Sequence, residues 1–115
     1  MSSVSTHVLD AARGRPAAGV PVRLECLSAP SGAPTPGEVA RAVTDVDGRV
    51  RPLGSRDLPV GRYRLTVDTA TYFADTGQVG FYPEVSVTFT VDDPAQHYHV
   101  PLLLSPYAFS TYRGS

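Results

Sequence analysis

Apolar and polar positions alternate along most of the chain. Val20, Val22, Leu24 and Cys26 share one face of the segment 20–27, and Val85, Val87, Phe89 and Val91 share one face of Val85–Val91. Gly61–Val67 repeats the pattern with Tyr63, Leu65 and Val67. A two-residue period marks strands that bury one face. Segments 4–9, 39–44, 97–104 and 107–112 carry the same character more weakly. Turn sequences separate them: Arg13-Gly14-Arg15-Pro16, Asp45-Val46-Asp47-Gly48-Arg49, Asp92-Asp93-Pro94 and Ser105-Pro106. Gly and Pro punctuate a chain in this way, and Asp-Gly is a strong turn dipeptide. Residues 28–37 hold three Pro and two Gly and read as a surface loop. Only Thr69–Asp75 lacks both strand and turn signatures. It predicts one helix of about two turns, closed by Gly77.

These elements predict an all-β fold: an antiparallel sandwich of two sheets, seven to eight strands, with the helix between the fifth and the sixth. Residues 1–115 fit a single domain, with no internal repeat. Eleven Pro and ten Gly in this length favour short strands over long helices.

Charge narrows the partners. The net charge is −1, and all ten basic residues are Arg, without a cluster. Neither nucleic acid nor an anionic membrane is expected as a partner. The single Cys26 excludes an internal disulfide and is expected in the core. The opening MSSVSTHVLD has neither a basic nor an apolar leader region, and the longest apolar run, near residues 100–104, cannot span a bilayer. A cytoplasmic location is the expectation.

Chemistry rests on three histidines, His7, His97 and His99. Imidazole, with an unperturbed pKa of roughly 6.5, is the side chain best suited to move protons near neutrality. Period two puts His7 on a face with Ser5 and Leu9, and puts His97 and His99 together with Pro101 and Leu103. One polar residue on a strand face is more often a satisfied hydrogen-bonder than a catalyst. A His-x-His pair also suits a metal, with His7 as a third ligand, although no Cys or carboxylate stands close by in sequence. Arg49 becomes interesting only if the fold carries it to the histidines. Tyr112-Arg113-Gly114-Ser115 would, if docked, bring an Arg, a hydroxyl and a carboxylate to one spot. No nucleophile elbow, phosphate loop, dinucleotide turn or His-Glu-x-x-His is present. The residues alone support a small sandwich with a candidate His/Arg site.

Four segments resemble those of the 5-hydroxyisourate hydrolases, a transthyretin-like family. They are Ser5-Thr6-His7-Val8-Leu9-Asp10, the Asp47-Gly48-Arg49 turn, His97-Tyr98-His99-Val100-Pro101-Leu102-Leu103-Leu104-Ser105-Pro106, and Ser110-Thr111-Tyr112-Arg113-Gly114-Ser115. The turn is common to many prealbumin-like modules and speaks for the fold; His7, His-Tyr-His and the last four residues speak for activity. Vertebrate transthyretin, the carrier of the same fold, lacks them. The resemblance implies hydrolysis of a ring C–N bond of 5-hydroxyisourate, in urate breakdown, without metal or organic cofactor. It implies His7, Arg49 and His99 as the catalytic set and Tyr112, Arg113, Gly114 and Ser115 as substrate-binding, with His97 in a supporting place. It also implies a homotetramer, a dimer of dimers, with sites lined by facing subunits. Tyr107-Ala108-Phe109 departs from the family's usual aromatic-Gly-Tyr without removing a catalytic group. The alternative within the same fold is a noncatalytic small-molecule carrier.

Overall fold

The computed structural model describes residues 2–28, 37–54 and 56–115. Among them are nine strands and one helix. The strands are β1 (Ser3–Asp10), β2 (Arg15–Pro16), β3 (Pro21–Ser28), β4 (Gly37–Val43), β5 (Arg49–Val50), β6 (Gly61–Val67), β7 (Val85–Val91), β8 (His97–Ser105) and β9 (Ala108–Thr111). The helix α1 (Thr69–Asp75) lies between β6 and β7. It follows the sixth strand rather than the fifth, and β2 and β5, each of two residues, are too short for periodicity to reveal. Most of the loop expected at 28–37 lies outside the described residues.

Two sheets face each other. One runs β4-β3-β6-β7 and the other β2-β1-β8-β9, with β5 also paired to β1. The inward residues predicted by alternation are the ones buried: Val22, Leu24 and Cys26 of β3, Tyr63, Leu65 and Val67 of β6, and Val4, Val8, Leu102 and Leu104 from the opposite sheet. Burying each such aliphatic side chain contributes about 1.5–3 kcal/mol, and this core fixes which face of each strand looks outward. Among the described residues all strand pairings are antiparallel except one. β1 runs parallel to β8, Ser5 opposite His99 and His7 opposite Pro101. A parallel pair needs a long crossover, and here the whole second sheet, with α1, lies between the two strands in sequence.

Helix α1 is closed at both ends by local bonds. The Asp68 carboxylate accepts from Thr71 N at 3.1 Å, satisfying an amide that the first turn leaves free. At the other end Gln78 N donates to Phe73 O and Gly77 N to Ala74 O, with Gly77 at φ 69°; this is the left-handed termination Gly favours. No helix among the described residues is long and apolar enough to cross a membrane.

Candidate active site

The parallel pairing of β1 with β8 builds the site. Both strands bury one face in the core, so Ser3, Ser5 and His7 share the outer face with His97 and His99. Ser5 Oγ lies 2.7 Å from His99 Nδ1 and 2.8 Å from His97 Nε2. Ser3 Oγ lies 2.6 Å from His97 Nδ1. Both ring nitrogens of His97 are therefore engaged by serine hydroxyls, while Nε2 of His99 has no hydrogen-bond partner among the described residues. The metal alternative requires three ligands around a common point. Among the described residues no three His, Cys, Asp or Glu side chains converge in that way; the His-x-His pair is joined through Ser5 instead.

Arg49 reaches the same face because the Asp47-Gly48-Arg49 turn docks on the outer edge of β1. Val8 N donates to Gly48 O at 2.7 Å, and β5 sets Arg49 directly opposite His7. Only glycine allows this approach: Gly48 has φ 76°, and a β-carbon there would lie 2.3 Å from the Val8 carbonyl oxygen. Asp45 holds the turn, its Oδ1 accepting from Asp47 N and Arg49 N, both at 2.9 Å. The amide of Arg49 chiefly, with that of Asp47 and the charges of Arg51 and Arg49, holds the Asp45 carboxyl below its ordinary value despite some desolvation. His7 Nε2 lies 2.9 Å from Asp47 O. A carbonyl only accepts, so Nε2 carries the proton and Nδ1 is the basic nitrogen.

The C-terminal segment folds back over β8. Gly114 N donates to His99 O at 2.9 Å, forming a bridge beyond the end of β9. Arg49, Arg51, His97, His99 and Ser115 line one open cavity of about 190 Å³, with Ser5 and Thr6 at its floor. His7 is not part of that lining; it flanks Arg49. The four terminal residues divide between two places. Ser115 enters the polar cavity and Gly114 packs on His99, whereas Arg113 lies 4.6 Å from the centre of the Tyr98 ring and donates to Gln96 at 2.6 Å. Arg113 and Tyr112 line a neighbouring apolar cavity of about 250 Å³ with Val87, Phe89 and Val100. Sequence alone does not single out Ser3, Ser5 or Arg51; the period-two pattern puts Ser5 beside His7, but nothing local shows that β1 lies beside β8.

Electrostatics single out His99. Partial burial first, then the charges of Arg49, His7 and His97, lower its pKa from the ordinary value, and a backbone hydrogen bond with Ser5 offsets part of this. His99 is thus neutral at neutral pH, and it lines both the polar cavity and the apolar one beside it. A neutral imidazole beside a fixed guanidinium can take a proton from water while positive charge faces a developing oxyanion.

A transthyretin-type sandwich carrying a His/Arg cavity on one outer sheet face is the class these features define. A profile described as the HIUase/Transthyretin family matches residues 4–114. A protein of Mus musculus named 5-hydroxyisourate hydrolase is 44% identical over 99% of this chain and 96% of its own. The solved structure of Klebsiella pneumoniae 5-hydroxyisourate hydrolase is similar with a TM-score of 0.83 and 38% identity, covering 100% of this chain and 94% of that one. Transthyretin from Sparus aurata superposes with a TM-score of 0.86 at 29% identity, covering 97% and 96%. The chain belongs to the HIUase/Transthyretin family.

Proposed function

We propose that this protein is a 5-hydroxyisourate hydrolase of urate breakdown, using His7, Arg49 and His99 as its catalytic set and Tyr112, Arg113, Gly114 and Ser115 to bind substrate. The observation that carries the reading is His99: a neutral imidazole with Nε2 free, sharing one polar cavity with Arg49 and Ser115. A carrier of apolar ligands gains nothing from this arrangement. Relatives named for the same hydrolase support the substrate assignment.

In the proposed reaction His99 Nε2 takes a proton from water, and the hydroxide adds to the ring carbonyl carbon. Arg49 faces the oxygen that becomes negative, which its fixed planar donors suit. The carbon–nitrogen bond then breaks with its electron pair on nitrogen, which receives a proton from the histidines. His7, its Nε2 held by Asp47 O, supports this transfer beside Arg49. Each proton transfer accounts for roughly 10²–10⁴-fold in rate. No metal or organic cofactor enters these steps.

The protein works as a cytoplasmic homotetramer, a dimer of dimers. β7 and β9 each have a single strand neighbour among the described residues, and unpaired edges invite pairing with another copy. Tyr107, Phe109 and Tyr112, beside the β9 edge, are 71%, 41% and 57% exposed. Light scattering during size-exclusion chromatography tests this, and a monomer at micromolar concentration refutes it.

The test of activity is the decay of 5-hydroxyisourate freshly made from urate by uricase, with and without the protein. Because the compound also decays spontaneously, only the excess over the blank counts. Acceleration abolished by His99→Ala supports the hydrolase. A folded protein without acceleration returns the carrier as the better reading.

A further inference from the structure

Ser3, His97, Ser5 and His99 form an unbroken hydrogen-bonded chain, with links of 2.6, 2.8 and 2.7 Å. Each hydroxyl has one proton to give and can accept as well, and each neutral imidazole has one donor and one acceptor nitrogen. With Ser5 both donating and accepting, such a chain has two self-consistent directions. When Nε2 of His99 is a base, Nδ1–H donates to Ser5, Ser5 donates to His97 Nε2, and His97 Nδ1–H donates to Ser3. In the reverse direction every donor and acceptor exchanges, and His99 Nε2 carries a proton.

The geometry points to this chain as a proton relay, with His97 as a positioning residue that stores the proton taken from water. The inference rests on the hydrolase reading above. When His99 Nε2 accepts the proton of the attacking water, His99 Nδ1–H passes to Ser5 Oγ and the Ser5 proton passes to His97 Nε2. The positive charge leaves His99 for His97, and His99 becomes neutral with a proton on Nε2, now an acid. The breaking bond leaves its electron pair on the ring nitrogen, which takes that proton. The Ser5 and His97 protons then step back, restoring the first direction. Water has supplied OH to carbon and H to nitrogen, and the chain is unchanged.

Placement supports the store. His97 is exposed at the cavity rim while Ser5 is 3% exposed, so the charge moves outward to water through a dry link. His97 is the one member that lines both the polar cavity and its neighbour of about 410 Å³. The charged groups around the pair are Arg49 and Arg51 from the β5 segment, Arg56 from the next loop and His7 from β1. Partial burial and the charge of Arg49 disfavour a lasting positive charge on His99, whereas at the exposed rim water screens His97 from the neighbouring Arg51 and Arg56.

Three variants test the relay: Ser5→Ala cuts it, Ser5→Thr keeps the hydroxyl, and His97→Gln keeps a hydrogen-bond acceptor that cannot hold the proton. Turnover of freshly generated 5-hydroxyisourate is measured in mixtures of light and heavy water, and across the pH range where imidazole titrates. Ser5→Ala and His97→Gln are expected to lose about tenfold or more in kcat with KM little changed. In both, the curved dependence of rate on heavy-water fraction becomes linear and the acid limb of the pH profile moves. Ser5→Thr restores all three. Wild-type kcat and a curved isotope dependence in both cut variants overturn the relay. If Ser5→Ala does not fold, His97→Gln, at an exposed position, decides alone. If the wild type itself has no activity, the hydrolase reading fails. The relay is then judged by nitrogen NMR of the imidazoles: coupled titration of His97 and His99 that separates in His97→Gln or Ser5→Ala supports it, and independent titration in the wild type overturns it.

Discussion

Gly114 packs its α-carbon directly against the imidazole of His99: a β-carbon at position 114 would lie 2.5 Å from His99 Cδ2 and 3.2 Å from Cγ. The same residue donates its backbone N–H to the His99 carbonyl. The C-terminal segment thus sets the position of the ring on the strand beside it. Gly114→Ala is expected to tilt His99 out of line with Arg49 and Ser5. Activity should fall by up to about 10²-fold, the cost of misplacing a reacting group by about 1 Å. Stability should change by less than about 0.5 kcal/mol, since the segment lies at the surface. Parallel turnover and melting measurements check this. Full activity in a folded Gly114→Ala protein would show that His99 does not depend on this contact.

Gly48 is under a harder constraint than Gly114, because its neighbour is backbone. Its φ is 76°, and a β-carbon added there would stand 2.3 Å from the Val8 carbonyl oxygen. Gly48→Ala must therefore both strain its own dihedral and lift the turn from β1. The left-handed strain alone costs about 1–3 kcal/mol. A fall in melting temperature of more than about 5 °C is expected, with loss of turnover as Arg49 leaves its place opposite His7. Unchanged melting would mean that the turn is not held against β1 in solution.

The lowered pKa of His99 sets the sign of the pH dependence. Its folded pKa lies below the ordinary 6.5, so the basic form and its contribution to stability are present above that value. As pH falls, the unfolded chain binds a proton first, and folding weakens. Turnover persists further into acid, until pH passes through the folded pKa. Arg49→Ala removes one of the charges that hold the pKa down. Besides losing rate, its residual activity should show an acid limb shifted to higher pH. A limb shifted to lower pH would contradict the assignment of His99 as the base near Arg49.

How much of this is legible in the sequence differs by residue. Period two places Val22, Leu24, Tyr63 and Leu65 inside, and they are buried; it also puts Ser5 on the face of His7, and His97 with His99. The limits of Gly61–Val67, Thr69–Asp75 and Val85–Val91 read from pattern agree with the structure. Local pattern does not say that β1 lies parallel to β8, because that pairing joins the two ends of the chain. The link from Ser5 to both histidines is therefore invisible in it. So is the turning of Arg113 toward Tyr98 and Gln96, a choice made by a partner brought near only by folding. Two-residue strands such as β5 carry no period at all, and Arg49 is found through its Gly rather than its strand.

The helix supplies the last prediction, on stability rather than rate. Asp10, at the end of β1, is 1% exposed. Burial by itself would raise its pKa, but hydrogen bonds from Tyr72 OH, Arg13 N and Gln78 Nε2, at 2.6, 2.9 and 3.1 Å, with the Arg13 charge, outweigh it and leave the pKa lowered. The Asp10–Tyr72 contact fastens α1 to the end of the strand that carries Ser5 and His7. Tyr72→Phe keeps the ring in the core and removes the shortest of the three bonds to a buried carboxylate. A loss of about 1.5–3 kcal/mol follows from removing a hydrogen bond to a charged group. Because a depressed carboxylate stabilises the fold above its unfolded pKa and ceases to do so as pH falls through the folded one, the variant's acid-unfolding midpoint should also move to higher pH. Denaturant melts at neutral and acid pH measure both. An unchanged acid midpoint would mean that Arg13 N and Gln78 alone hold the Asp10 charge.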